Sequence, residues 1–174
     1  TAQMRDLERR AIEEARIKGE ALMERAGEAV ADAVRRLADH AGFAEGYIHL
    51  VAGRGNNGGD AFVAAKQLKQ LGFHVTVWLA GSASQIQGDA LKHFGKLKPA
   101  HIAVDELPTV DDWRDAAAQP YYADVIVDGV LGIGLSGPAR GPAAAAIQYI
   151  RQQARSSLVV SIDVPSGLDA DRGV

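Results

Sequence analysis

The stretch from Tyr47 to Asp60, YIHLVAGRGNNGGD, decides how the rest of the chain is read. Tyr47 to Ala52 is a short apolar run of the kind buried in a parallel sheet, and it enters Gly53 directly. Gly53, Gly55 and Gly58 then spell G-x-G-x-x-G, between that strand and a helix expected from about Asp60 to Leu71. Glycines let a backbone approach an anion closely, and a helix start offers free N–H groups. The dinucleotide form of this pattern needs an acid at the end of the second strand to hold a ribose. Here that strand ends Val77-Trp78-Leu79-Ala80, with no acid. There is no G-K-[ST], so the loop is not a nucleoside-triphosphate P-loop. Asn56-Asn57 followed by Gly58-Gly59-Asp60 is the more specific signal, because a helix cap needs only one such side chain. The bland alternative is a tight turn capped by Asp60.

Downstream of this stretch, strand and helix patterns alternate. The helix breaks at Gly72, and Phe73 to Leu79 is rich in β-branched and aromatic residues. A weaker helix from about Gln85 to Leu97 leads to a short run at His101–Val104. Leu107 to Gln119 is polar and loosely helical, and Asp124 to Val127 is another buried strand. An Ala-rich helix opens at Gly141-Pro142, with proline in its favoured first turn, and Leu158 to Ile162 is the last strand. Upstream, Met4, Leu7, Ala11 and Ala15 mark a first helix that stops near Lys18-Gly19. A longer stripe from Leu22 to Leu37 marks a second, read as core with part of it available as a dimer face. Alternation at this spacing predicts a Rossmann-like three-layer α/β/α sandwich with a mostly parallel sheet, preceded by two N-terminal helices. Ligands in such sheets sit beyond the carboxyl ends of the strands.

Two more loops leave strand ends. Asp128-Gly129-Val130-Leu131-Gly132-Ile133-Gly134-Leu135-Ser136-Gly137 holds a second G-x-G-x-x-G, at Gly132, Gly134 and Gly137. Two such loops side by side suit a ligand with more than one polar portion. Asp128 either binds a hard cation or hydrogen-bonds its own turn. Asp163-Val164-Pro165-Ser166-Gly167-Leu168-Asp169 places a carboxylate at a strand end, fit for general acid–base work or for a ribose hydroxyl. Ser166 lacks the G-x-S-x-G elbow and a partner histidine, which argues against a nucleophile. His40, His49, His74, His93 and His101 are scattered, so transition-metal chemistry is not expected, and Trp78, Trp113, Tyr121 and Tyr122 read as packing residues.

Composition narrows the function classes. The 174 residues carry 19 basic and 22 acidic side chains, a formal charge of -3, with no basic patch to hold a phosphate backbone. Nucleic acid is therefore not an expected partner. Cysteine is absent, which removes thiolate nucleophiles and sulfur-ligated zinc. No stretch approaches the roughly 20 apolar residues of a membrane span, and no signal segment is visible at the start. The expectation is a soluble cytoplasmic domain with no membrane partner.

The order of the motifs resembles the YjeF N-terminal domain family of NAD(P)H-hydrate epimerases. The carriers are Leu22-Met23-Glu24-Arg25-Ala26-Gly27, then Asn56 to Ala61 (NNGGDA), Val127 to Pro138 (VDGVLGIGLSGP) and Ser161 to Asp171 (SIDVPSGLDAD). The resemblance implies interconversion of the R and S epimers of NADHX and NADPHX, the hydrated forms of NADH and NADPH. An ADP- or ATP-dependent dehydratase, fused or separate, would then finish the repair. It implies that Asn56, Asn57, Gly58, Gly59 and Asp60 contact the substrate, and that Gly132, Ile133, Gly134, Leu135, Ser136, Gly137 and Pro138 wrap its phosphates. Asp163 would face the substrate as the catalytic group, and Asn57, Asp128 and Ser166 would hold a potassium ion (K+). A homodimer is expected from the long apolar helix. A non-catalytic scaffold of the same fold is the alternative, but such a scaffold should have lost Asn57, Asp60, Asp128 and Asp163. An ordinary NAD-dependent oxidoreductase is disfavoured by the missing ribose acid, and a kinase by the lack of lysine in both Gly-rich loops. The family commonly has glycine where this chain has Ala61, a methyl that could narrow the ligand approach. Family members usually continue beyond the third motif, so residues 1–174 are expected to be one domain truncated at its C-terminal end, with an exposed sheet edge.

Overall fold

The computed structural model describes residues 2–14, 16–134 and 137–173. Five strands form one sheet: β1 (Tyr47–Ala52), β2 (His74–Leu79), β3 (Ala103–Glu106), β4 (Val125–Gly129) and β5 (Leu158–Ser161). Their order is β3-β2-β1-β4-β5, and every neighbouring pair is parallel. The chain therefore steps outward one way from β1 to β3, then returns to the other side of β1 for β4 and β5. That reversal opens a crevice between the carboxyl ends of β1 and β4, where open α/β sheets bind ligands.

The period-two alternation of β1 sorts the two faces. Ile48, Leu50 and Ala52 point into one core with Val75, Val77, Val125 and Val127, covered by α2 (Gly19–Ala41), α3 (Asn56–Gln70) and α4 (Gly88–Phe94). Val51 points into the other core with Trp78, Ile126 and Val130, covered by α5 (Val110–Ala118) and α6 (Gly141–Gln153). On that face His49 is fully buried among the rings of Trp78, Tyr121 and Tyr149, and burial lowers its pKa to about 3. It is a neutral core histidine whose Nδ1 meets Thr76 Oγ1 at 3.1 Å. Tyr122 departs from the packing expectation: it is exposed, with its hydroxyl on Asp124.

The first helix, α1 (Ala2–Glu13), precedes α2, which stops at Gly42 in a left-handed conformation with φ 84°. Gly27 is where α2 crosses α3, for a Cβ there would fall 2.3 Å from Val63 Cβ. The largest departure from expectation is the start of α3, at Asn56 rather than near Asp60. Asn56-Asn57-Gly58-Gly59 form its first turn, with Gly55 as the cap position and Gly59 N–H donating to Gly55 O at 3.0 Å. Asp60 is thus inside the helix and is not its N-cap. The helix expected over 85–97 is a short 3-10 turn at Ala83–Gln85 followed by α4 alone, and β3 lies two residues later than the His101–Val104 run. β5 is an edge strand with Leu158 and Val159 exposed. No helix among the described residues is long and apolar enough to cross a membrane.

Candidate functional site

Backbone packing closes the floor of the crevice. Gly53 N–H donates to Gly129 O at 2.9 Å, so the first loop continues the β1–β4 ladder one residue past β1. A Cβ at Gly53 would lie 2.0 Å from Val130 O, and one at Gly58 would lie 1.9 Å from Gly53 O. Only glycine allows the first turn of α3 to sit this close to the strand that feeds it. Ala61 is fully buried, its Cβ 2.8 Å from where a Cβ on Gly129 would be. Its methyl faces the core and does not line the cavity, so it does not narrow the ligand approach.

Above this floor lies a cavity of about 1290 Å³, walled by all three motif loops. Of the expected substrate contacts, Asn56, Asn57, Asp60, Gly132, Ile133, Gly134 and Asp163 line it. Gly58 and Gly59 do not; both are buried, Gly59 beneath Met23 and Ala90. Gly137 and Pro138 are exposed beyond the lining, and Leu135 and Ser136 lie outside the described residues. Asp163 Oδ2 accepts from Ile133 N–H at 2.7 Å. The carboxylate at the end of β5 is thereby fixed against the loop that follows β4, with Gly132 directly beneath it: a Cβ there would fall 2.6 Å from Asp163 Oδ2.

Asp128 lies deeper, only 3% exposed, and it ties the second loop to the third. Its Oδ2 accepts from Ser166 N–H at 2.8 Å and Ser161 Oγ at 3.2 Å. Its Oδ1 accepts from Ser166 Oγ at 2.5 Å and Val130 N–H at 3.3 Å. The turn-capping reading is thus part of the answer, but three of these four bonds reach β5 or the loop after it. Ser166 Oγ also accepts from Leu131 N–H at 2.9 Å and stands 2.9 Å from Leu131 O. One hydroxyl proton cannot serve both Asp128 Oδ1 and Leu131 O at once, so one of these two oxygens lacks the Ser166 proton at any moment. No Lys or Arg pairs with Asp128 among the described residues, and the side-chain nitrogen of nearby Asn57 has no partner there. Carboxylate, hydroxyl and amide oxygens are hard ligands of the kind that suit a cation of the potassium type and not zinc. Among the described residues no group of three or more His, Cys, Asp or Glu side chains is placed to hold a metal ion.

Sequence reasoning missed several wall residues. Ala26, Ala29, Val30 and Ala33 of α2 form an apolar side of the cavity, where the sequence showed only a core stripe. Arg54 and Arg140 also line it, and neither has an ion-pair partner among the described residues. Their signal was position alone: Arg54 stands inside the first Gly-rich loop, and Arg140 immediately precedes α6.

Residues 19–174 match the model of the family described as YjeF-related protein N-terminus. A protein of Methanothermobacter thermautotrophicus named bifunctional NAD(P)H-hydrate repair enzyme Nnr is 39% identical over 157 residues, covering 87% of this chain and 28% of that protein. A NAD(P)H-hydrate epimerase of Rhodopirellula baltica is 32% identical, covering 98% of the chain and 65% of the relative. One from Rhodobacter capsulatus is 36% identical, with 97% and 76% covered. This chain therefore spans less than two thirds of the first two relatives. The crystal structure of yeast YNL200c superposes with a TM-score of 0.82 at 25% identity, covering 97% of this chain and 71% of that one. On the strength of the family match and of these relatives, the chain belongs to the YjeF-related protein N-terminus family.

Proposed function

We propose that this domain is a NAD(P)H-hydrate epimerase, exchanging the R and S forms of hydrated NADH and NADPH. The observation that carries the reading is Asp163. A carboxylate is anchored through one oxygen to Ile133 N–H, on the wall of a cavity large enough for a nucleotide that Asn57 and Asp60 also line. Relatives matched over most of this chain are named for the epimerase or for NAD(P)H-hydrate repair. The polar side chains that a mere scaffold would not need, Asn57, Asp60, Asp128 and Asp163, are all present.

The chemistry asks little of the protein beyond positioning and one proton carrier. The hydrate bears a hydroxyl on the ring carbon next to the ring nitrogen. Asp163 gives a proton to that oxygen as the C–O bond breaks, while the nitrogen lone pair stabilises the cation left on carbon. Water then adds to the opposite face and returns a proton to Asp163, so atoms and charge balance over the cycle. The Gly-rich loop after β4 and the start of α6 offer backbone N–H groups to the diphosphate. Asp128, Ser166 and Asn57 would hold potassium, which would supply a fixed positive charge tying the loops together. The relatives named as bifunctional repair enzymes fit a second enzyme that consumes one epimer.

The test is epimer exchange. Purified R hydrate is mixed with the protein, with and without potassium, and both epimers are followed by chromatography. Equilibration far above the spontaneous rate supports the reading, and a rate equal to the spontaneous one contradicts it.

A further inference from the structure

We infer that Arg54 reads a phosphomonoester on the adenosine half of the substrate, so that hydrated NADPH is preferred to hydrated NADH. The inference rests on the epimerase reading and names which of its two substrates the cavity fits better.

The cavity carries positive charge on either side of β1. Arg140 stands at the start of α6, next to the Gly-rich loop that follows β4. Arg54 stands on the β2 side, its stem lying over Gly81, where a Cβ would fall 2.5 Å from Arg54 Cδ. β2 and β4 flank β1, so their ends are about 10 Å apart by ordinary strand spacing. The two cations therefore stand over opposite flanks of β1. The loop after β4, with glycines and a helix start, is the better diphosphate cradle. Arg54 is then a second cation, exposed and without an ion pair among the described residues, on the wall of the same cavity.

The surroundings of Arg54 also disfavour an unphosphorylated ribose. A ribose diol in this kind of sheet is held by an acid at the end of β2, whereas a nearby arginine accommodates a phosphate. β2 ends Val77-Trp78-Leu79 and continues Ala80-Gly81. The acids paired alongside the end of β2 are Asp105 and Glu106 of β3, and both are engaged. Asp105 Oδ2 accepts from Trp78 Nε1 at 3.0 Å, and Glu106 Oε2 accepts from Ala83 N–H at 2.7 Å. A guanidinium with no carboxylate partner and an open face matches the forked geometry of a phosphate.

The experiment compares kcat/KM for the two hydrates in the intact protein, in Arg54→Ala and in Arg54→Lys. Intact protein is expected to favour hydrated NADPH by about tenfold, the size of one charge-assisted contact at an exposed site. Arg54→Ala should bring the ratio close to one through KM of the phosphorylated substrate, and Arg54→Lys should restore part of it. Calorimetry with adenosine 2′,5′-bisphosphate and with AMP gives a readout free of turnover, and the same ratio and the same loss are expected. Equal kcat/KM for both hydrates in the intact protein, or a ratio unchanged in Arg54→Ala, overturns the role of Arg54 and leaves the epimerase standing. A protein that turns over neither hydrate, yet separates the two adenosine probes through Arg54, supports the phosphate site and overturns the epimerase.

Discussion

After β1, the first and last glycines of G-x-G-x-x-G are packed against backbone: Cβ atoms at Gly53 and Gly58 would fall 2.0 and 1.9 Å from carbonyl oxygens, while one at Gly55 would meet nothing within 4 Å. After β4, the same letters describe something else. Only Gly132 has a close neighbour, Asp163, while Gly134 and Gly137 meet nothing within 4 Å among the described residues. The first loop is a helix start welded to the sheet; the second is a loose span pinned through Leu131 and Ile133 to Ser166 and Asp163. A shared motif therefore does not mean a shared task. In one place glycine removes volume so that the fold can close, and in the other it leaves volume for a ligand.

The comparison breaks most visibly at Gly58. Gly58→Ala puts a methyl into a carbonyl that has no room to move, and we expect a loss of about 3 kcal/mol or more, read as a lowered denaturation midpoint. A fully stable variant would show that the first turn of α3 is not held this tightly. Asp128→Ala comes next. It strands Ser166 N–H, Ser161 Oγ and Val130 N–H without their acceptor, at an expected cost of about 2–3 kcal/mol in urea unfolding, together with loss of any potassium response. An unchanged potassium response in a folded Asp128→Ala would move the cation elsewhere. Gly134→Ala should change stability by less than about 0.5 kcal/mol, since its methyl meets nothing, yet weaken substrate binding severalfold. Loss of stability there with unchanged KM would mean that the second loop resembles the first after all.

These contrasts also explain what the sequence could reveal. β1 is legible to the residue, because an apolar run between polar flanks has one reading in a parallel sheet. The start of α3 is not, because two glycines in four residues oppose helix formation by local propensity. The contact of Gly58 with the Gly53 carbonyl overrides that preference, and it joins residues whose approach no local pattern displays. In the site, Asn57, Asp60, Gly132 and Asp163 stood out because their types are unusual at strand ends, and all four line the cavity. Arg54 and Arg140 did not, since a single charged residue in a loop reads as solvated until the neighbours that fail to pair with it are known. The small residues of α2 read as core for the same reason, with no sign in the sequence that one side of the helix meets a cavity.

Asp163 is the centre of the account, and Asp163→Asn tests it most directly. The amide keeps an oxygen for Ile133 N–H and nearly the same shape but cannot carry a proton through the cycle. Epimer exchange and substrate binding would be measured on the same preparation. The account predicts a fall of about 10²–10⁴-fold in exchange rate, with affinity changed little. Full exchange activity in Asp163→Asn would contradict it.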